Sequence, residues 1–135
     1  MSIRLQKVLL IDDDCLSNYM HQYLLEDTGM FENVEIAETA MDALDKLERD
    51  DSQDVSQPEI IFVDLNMPGL NGWDFIKEYS DYMKNRSAKS LLVILTSSEE
   101  TDDKLKATYS HDVCAYLTKP LTHDKVMAVV GKYLH

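Results

Sequence analysis

Val8-Leu9-Leu10-Ile11-Asp12-Asp13-Asp14 sets four consecutive apolar residues against three consecutive carboxylates. A short run that is apolar at every position and carries β-branched residues suits a strand buried on both faces, as in a parallel sheet. Three acids directly after it mark the point where the chain leaves the core. Two further runs share this character, Ile60-Ile61-Phe62-Val63 and Leu91-Leu92-Val93-Ile94-Leu95. Val34-Glu35-Ile36-Ala37 alternates polar and apolar residues, and Val113-Cys114-Ala115-Tyr116-Leu117 is apolar throughout, so five strands are predicted.

Helical spacing fills the intervals. Leu16, Tyr19, Met20, Tyr23 and Leu24 fall at i, i+3, i+4, i+7 and i+8, which predicts a helix whose apolar stripe faces the core and which stops at Thr28-Gly29. Ala40, Ala43, Leu44 and Leu47 carry a second helix, capped by Thr39 with Met41-Asp42 in its first turn. A third starts near Trp73 and turns Phe75, Ile76 and Tyr79 inward. A fourth, lightly packed, is expected over Glu99 to Tyr109, where only Leu105, Ala107 and Tyr109 are apolar. The fifth follows Pro120, with Val126, Val129, Val130 and Tyr133 at 3.6-residue spacing. The polar, acidic segment Glu48 to Pro58 reads as a solvated loop. Five alternations of strand and helix predict an α/β fold, a doubly wound five-stranded parallel sheet in the order 2-1-3-4-5 with five helices, the flavodoxin-like arrangement. Residues 1–135 read as a single domain with no output domain.

Composition agrees with that class. The 135 residues are 44% hydrophobic and 28% charged, near the average of globular domains. Thirteen Lys and Arg against 25 Asp and Glu give a net charge of −12, a field that repels phosphate backbones and anionic lipid surfaces, so no nucleic-acid partner is expected. Two cysteines, Cys15 and Cys114, make neither a disulfide framework nor a zinc site. No basic-then-apolar leader opens the chain, and no apolar run approaches the ~20 residues that span a bilayer. A cytoplasmic location without membrane insertion is expected.

The acids carry the chemistry. Asp12, Asp13 and Asp14 follow the first strand, and Asp64 ends the third. In the predicted order these strands are neighbours about 4.8 Å apart, and the crevice between them is the switch point where such sheets bind ligands. Two like charges 4 Å apart repel by roughly 4 kcal/mol at an effective dielectric of 20, so the cluster calls for a cation. Oxygen-only donors suit a hard ion such as Mg²⁺. Thr96 after the fourth strand and Lys119-Pro120 after the fifth bring a hydroxyl and an ammonium to the same edge. Acids for a metal, one acid as nucleophile, and donors for equatorial oxygens are the parts of phosphoryl transfer to an aspartate.

With those motifs in order, the sequence resembles a response-regulator receiver domain of two-component signalling, of the stand-alone type similar to the chemotaxis response regulator. The resemblance rests on Val8 to Asp14, on Val63-Asp64-Leu65-Asn66-Met67-Pro68-Gly69 with Asn71-Gly72, on Leu95-Thr96-Ser97, and on Tyr116-Leu117-Thr118-Lys119-Pro120. It implies that Asp64 is the phosphoryl acceptor. It also implies that Asp12 or Asp13 holds Mg²⁺ (or Mn²⁺), Asp13 by direct ligation and Asp12 through water, with the Asp64 carboxylate and the Asn66 backbone carbonyl. Thr96 is similar to the family's switch hydroxyl, Tyr116 to its aromatic rotamer switch and Lys119 to its phosphate-pairing lysine. The Lys119-Pro120 bond is expected to be cis. The implied partners are a histidine kinase or histidine phosphotransfer protein and a downstream protein that docks on the fourth helix, fifth strand and fifth helix. The implied state is a monomer or weak dimer. The protein is then no dedicated enzyme, although it catalyses its own metal-dependent phosphorylation and dephosphorylation. Asn66 and Ser98, two neutral polar residues, imply slow to moderate loss of the phosphoryl group.

Other readings of the same residues are weaker. An aspartate-nucleophile phosphatase of the haloacid dehalogenase type needs an acid two residues after the nucleophile, where Asn66 stands. Flavin mononucleotide needs backbone donors after the first strand, where three acids stand. A phosphorylation-independent scaffold would not need the full set of acids, hydroxyl and lysine. Asp14 is expected to cap the first helix, Met67-Pro68-Gly69 and Gly72 to serve the turn, and Cys15 to be a spectator. His21, His111, His123 and His135 lack metal-ligand spacing and are expected at the surface.

Overall fold

The computed structural model describes residues 5–65, 67, 72–84, 90–96 and 113–133. Their elements are β1 (Leu5–Ile11), α1 (Cys15–Asp27), β2 (Phe31–Ala37), α2 (Ala40–Ser52), β3 (Ile60–Asp64), α3 (Gly72–Tyr82), β4 (Leu91–Thr96), β5 (Val113–Thr118) and α4 (His123–Tyr133). The five strands are all parallel and lie in the order β2-β1-β3-β4-β5, as the alternation predicts. The helix expected over 99–109 lies outside the described residues.

The three apolar runs are the three central strands. Val8 to Ile11, Ile60 to Val63 and Leu92 to Leu95 are all essentially inaccessible, because helices cover both faces of the sheet. On one face Leu9, Ile11, Ile61, Val63 and Ile94 pack with Ala40, Ala43 and Leu47 of α2 and Phe75, Ile76 and Tyr79 of α3. On the other, Val8, Leu10, Phe62, Val93 and Leu95 meet Leu25 of α1 and Val126, Val129 and Val130 of α4. Strand register puts Ile11 beside Val63 and Asp64 beside Leu95, so every strand delivers its last residue to the same edge.

Local signals act as read for most helices. Asp14 caps α1 by accepting from the Leu16 N–H at 3.1 Å, and Thr39 caps α2 by accepting from the Asp42 N–H at 3.0 Å. Gly29 follows the end of α1 with φ +69°, a conformation glycine adopts without a steric penalty.

Three expectations are corrected. Four of the five residues of the predicted α1 stripe face outward: Leu16 is 66% exposed, Tyr19 71%, Met20 51% and Tyr23 68%, while Leu24 alone packs, partly buried, against the core. Asn18, His21 and Leu25 are the residues that α1 buries. The physical reason is what lies beneath the helix, the polar backbone of strand-end loops that needs hydrogen-bond partners. His21 is therefore no surface residue; it is 3% exposed. The loop predicted from Glu48 is helical as far as Ser52, because Asp50 turns inward and pairs with the buried Lys7 at 2.9 Å. His123 does lie at the surface, 3.2 Å from Asp27, while His111 and His135 lie outside the described residues.

Candidate functional site

Four strand ends build the site. β1 ends in Ile11, and Asp12 is fixed there because its N–H donates to the Ala37 carbonyl of the neighbouring strand at 3.0 Å. The Asp12 side chain accepts from the Asp14 N–H at 2.9 Å, which curls the three acids into the turn that leads to the α1 N-cap, Asp14. Asp12 is thereby buried, while Asp13 stays exposed. Asp64 closes β3, also buried. Carboxylate oxygens of Asp12, Asp13 and Asp64 all lie within 4.8 Å of one another, so residues about 50 positions apart in sequence form one cluster.

Lys119 enters from the far side. Its backbone N–H donates to the Thr96 carbonyl at 2.7 Å, and its Nζ lies 2.6 Å from Asp12 Oδ2 and 3.6 Å from Asp64 Oδ2. The Lys119-Pro120 peptide is cis, as expected. Burial pushes the Asp12 carboxyl up, but the Lys119 ammonium and the Asp14 N–H outweigh it and hold Asp12 below its ordinary value. Among the described residues one ammonium, Lys119, stands at the cluster of three carboxylates, and an all-oxygen donor set with an excess of negative charge fits a hard divalent cation.

Thr96 ends β4 fully buried, in register with Thr118. Tyr116, two residues before Thr118, is half-buried against the α2–α3 face of the sheet. Strand alternation puts Thr96 and Tyr116 on the same face of adjacent strands. Asn66 and Ser98 lie outside the described residues, so the expected Asn66 carbonyl ligand is not among the groups placed here.

These features coincide with a recognised pattern. The response regulator receiver domain family matches residues 8–131. The chain belongs to that family. Receiver-domain relatives are distant but span it: sensory transduction protein LytT of Bacillus cereus is 28% identical over 127 residues, 94% of this chain and 46% of its own length. The chain thus spans about half the length of the curated relatives it matches. Among solved structures, a two-component response regulator from Cytophaga hutchinsonii is 32% identical with a TM-score of 0.86, covering 96% of both chains. Chemotaxis protein CheY4 of Vibrio cholerae is 25% identical with a TM-score of 0.73, covering 96% of this chain and 99% of its own. This receiver domain contains, among its described residues, no helix long and apolar enough to cross a membrane.

Sequence reading missed two features of the receiver's acid edge. Gly72 was assigned to turn chemistry, but a Cβ there would stand 2.6 Å from the Asp64 carbonyl oxygen and 2.8 Å from Leu65 Cα. Glycine opens α3 because the helix end presses against the backbone at the end of β3. His21, expected at the surface, and Asn18, on which the sequence reading is silent, are both buried against this edge. Their signal was present in their spacing of three, which puts both on one face.

Proposed function

We propose that this receiver domain takes a phosphoryl group onto the Asp64 carboxylate from a histidine kinase or histidine phosphotransfer protein. An Asp64 oxygen attacks phosphorus, and the donor imidazole leaves with the electron pair of the broken P–N bond. The observation that carries this reading is the convergence of Asp12, Asp13 and Asp64 within 4.8 Å beside the Lys119 ammonium. Asp13, exposed, would hold Mg²⁺ (or Mn²⁺) directly and Asp12, buried and engaged by Lys119, through water, with Asp64 and the Asn66 carbonyl as the further ligands the family resemblance implies. A divalent ion there supplies charge neutralisation for the transferring group.

The chain's own residues do the rest. Lys119 leaves its contact with Asp64 and pairs with the new phosphoryl oxygens, and Thr96 turns its hydroxyl toward them. Tyr116 then moves into the space Thr96 gives up. The surface of β5 and α4 changes with it, so a downstream protein reads phosphorylation as a population shift between two states. The domain works in the cytoplasm as a monomer or weak dimer and turns over its own acyl phosphate slowly to moderately.

The test is intact mass after incubation with acetyl phosphate and Mg²⁺. A gain of about 80 Da, one phosphoryl group in place of a proton, is expected for the wild type and absent from Asp64→Asn and from wild type in EDTA. Failure of wild type to gain mass, joined to failure to bind beryllofluoride with Mg²⁺ present, would leave the phosphorylation-independent scaffold.

A further inference from the structure

α1 presents its apolar residues to solvent and buries two polar ones. Asn18 donates from Nδ2 to the Asp12 carbonyl at 2.7 Å. His21, three positions later on the same face, receives the Leu121 N–H on Nε2 at 3.2 Å. A backbone N–H can only donate, so Nε2 carries no proton and the ring is the neutral Nδ1–H tautomer, with Ser17 Oγ 3.5 Å from Nδ1. Burial, helped by the nearby Lys119 ammonium and opposed by Asp12, holds the His21 pKa below its ordinary value, which keeps the ring in that acceptor state.

Leu121 stands two residues after Lys119, across the cis Lys119-Pro120 peptide. The rest of this turn is tied to nearby parts of the sheet edge and to α4: Lys119 N–H to Thr96, and the Thr118 and Pro120 carbonyls to Lys125 Nζ at 2.7 and 3.1 Å. Only the His21 bond, among these, ties the turn to α1, the helix that also grips Asp12. One rigid helix thereby spans both halves of the acidic pocket.

We infer that His21 is a positioning residue for Lys119, holding the turn after β5 through the Leu121 N–H so that the ammonium reaches the acceptor carboxylates. This rests on the phosphoacceptor reading above. Misplacing a charged group by about 1 Å in such a site costs up to ~100-fold in rate.

Three variants of the full chain separate this role from packing. His21→Gln can put Oε1 where Nε2 stood; His21→Asn is polar but one bond too short; His21→Leu fills space without an acceptor. Phosphorylation by acetyl phosphate with saturating Mg²⁺, followed by intact mass, is expected to slow about 10- to 100-fold in His21→Asn and His21→Leu and to recover to within a few-fold of wild type in His21→Gln. Amide hydrogen exchange at Leu121 should be protected in wild type and His21→Gln and fast in His21→Asn. If His21→Leu does not fold, the Gln and Asn pair decides alone. Equal rates in Gln and Asn, or an unprotected Leu121 amide in wild type, overturn the inference while leaving the phosphoacceptor reading intact. Wild type that gains no mass overturns the phosphoacceptor reading and the inference with it.

Discussion

Two lysine–aspartate pairs sit at opposite ends of the same strand. Lys7 and Asp12 are five residues apart along β1, roughly 16 Å at strand rise. At the first end, among the described residues, Lys7 Nζ is 2.9 Å from Asp50 and 3.7 Å from Glu35, Arg49 stands 3.7 Å from Asp50, and Glu59 accepts from the Lys7 backbone N–H at 3.0 Å, so two cations meet three carboxylates. At the second, Lys119 is 2.6 Å from Asp12 and must serve Asp64 and Asp13 as well. Both pairs involve a buried aspartate, but the second carries the larger excess of carboxylates over cations among the described residues. The difference teaches that a buried ion pair alone marks nothing; the larger excess of one sign, open to solvent through Asp13, is what marks the proposed phosphoacceptor end.

The largest effect is expected where the cation of the pair is itself buried, as the Lys7 side chain is. Lys7→Met should cost about 3–5 kcal/mol in urea unfolding, because it strands the buried Asp50 carboxylate. Lys119→Met should cost less than half of that, since the Lys119 side chain is itself 19% exposed and the neighbouring Asp13 lies open to solvent cations. Equal losses would erase the distinction between the two ends.

Cation binding comes next. Mg²⁺ at about 100 times its dissociation constant should raise wild-type stability by ~2.7 kcal/mol, and Asp13→Asn should lose most of that gain. In EDTA the same substitution should stabilise by about 1 kcal/mol, since it removes one of three like charges. Destabilisation by Asp13→Asn in EDTA would mean that the carboxylates do not repel one another as their spacing implies.

Gly72→Ala probes the packing at the acid edge. Its Cβ would meet the Asp64 carbonyl at 2.6 Å, and both partners are backbone, so a loss of about 1–3 kcal/mol is expected by thermal unfolding, together with slower phosphorylation. The smallest effect is a pH slope. The folded-state pKa of His21 lies below the ordinary 6.5, so as pH falls below that value the unfolded chain binds the proton first and stability declines; it is fully present above. His21→Gln should flatten this part of the stability curve. Asp12, held below 3.8, loses its contribution only at more acidic pH, so the two windows separate.

Much of the fold was legible along the chain. Runs such as Ile60 to Val63 can only be satisfied between two layers of helices, and the alternation with amphipathic segments then leaves one handed way to wind the sheet. The caps Asp14 and Thr39 act within three residues and need no tertiary context. Asp12, Asp13, Asp64, Thr96 and Lys119 were legible as a set because a parallel sheet sends every strand's carboxyl end to one edge.

What the chain could not reveal locally depends on surfaces that exist only after packing. Periodicity shows that α1 has an apolar stripe but carries no information on which side the sheet will lie; the outward turn of Leu16, Tyr19 and Tyr23 was decided by loops that needed Asn18 and His21 beneath the helix. Asp50 looked like solvent-facing acid until Lys7, 43 residues away, was placed beside it. Gly72 looked like a turn residue until the Asp64 and Leu65 backbone filled the space a Cβ there would need. Local propensity and strand periodicity act through neighbours in sequence, so residue order was sufficient to assign the elements and the edge that carries the chemistry. Burial of charge, the choice of helix face and close backbone approach act through neighbours in space, and only the packed structure supplies those.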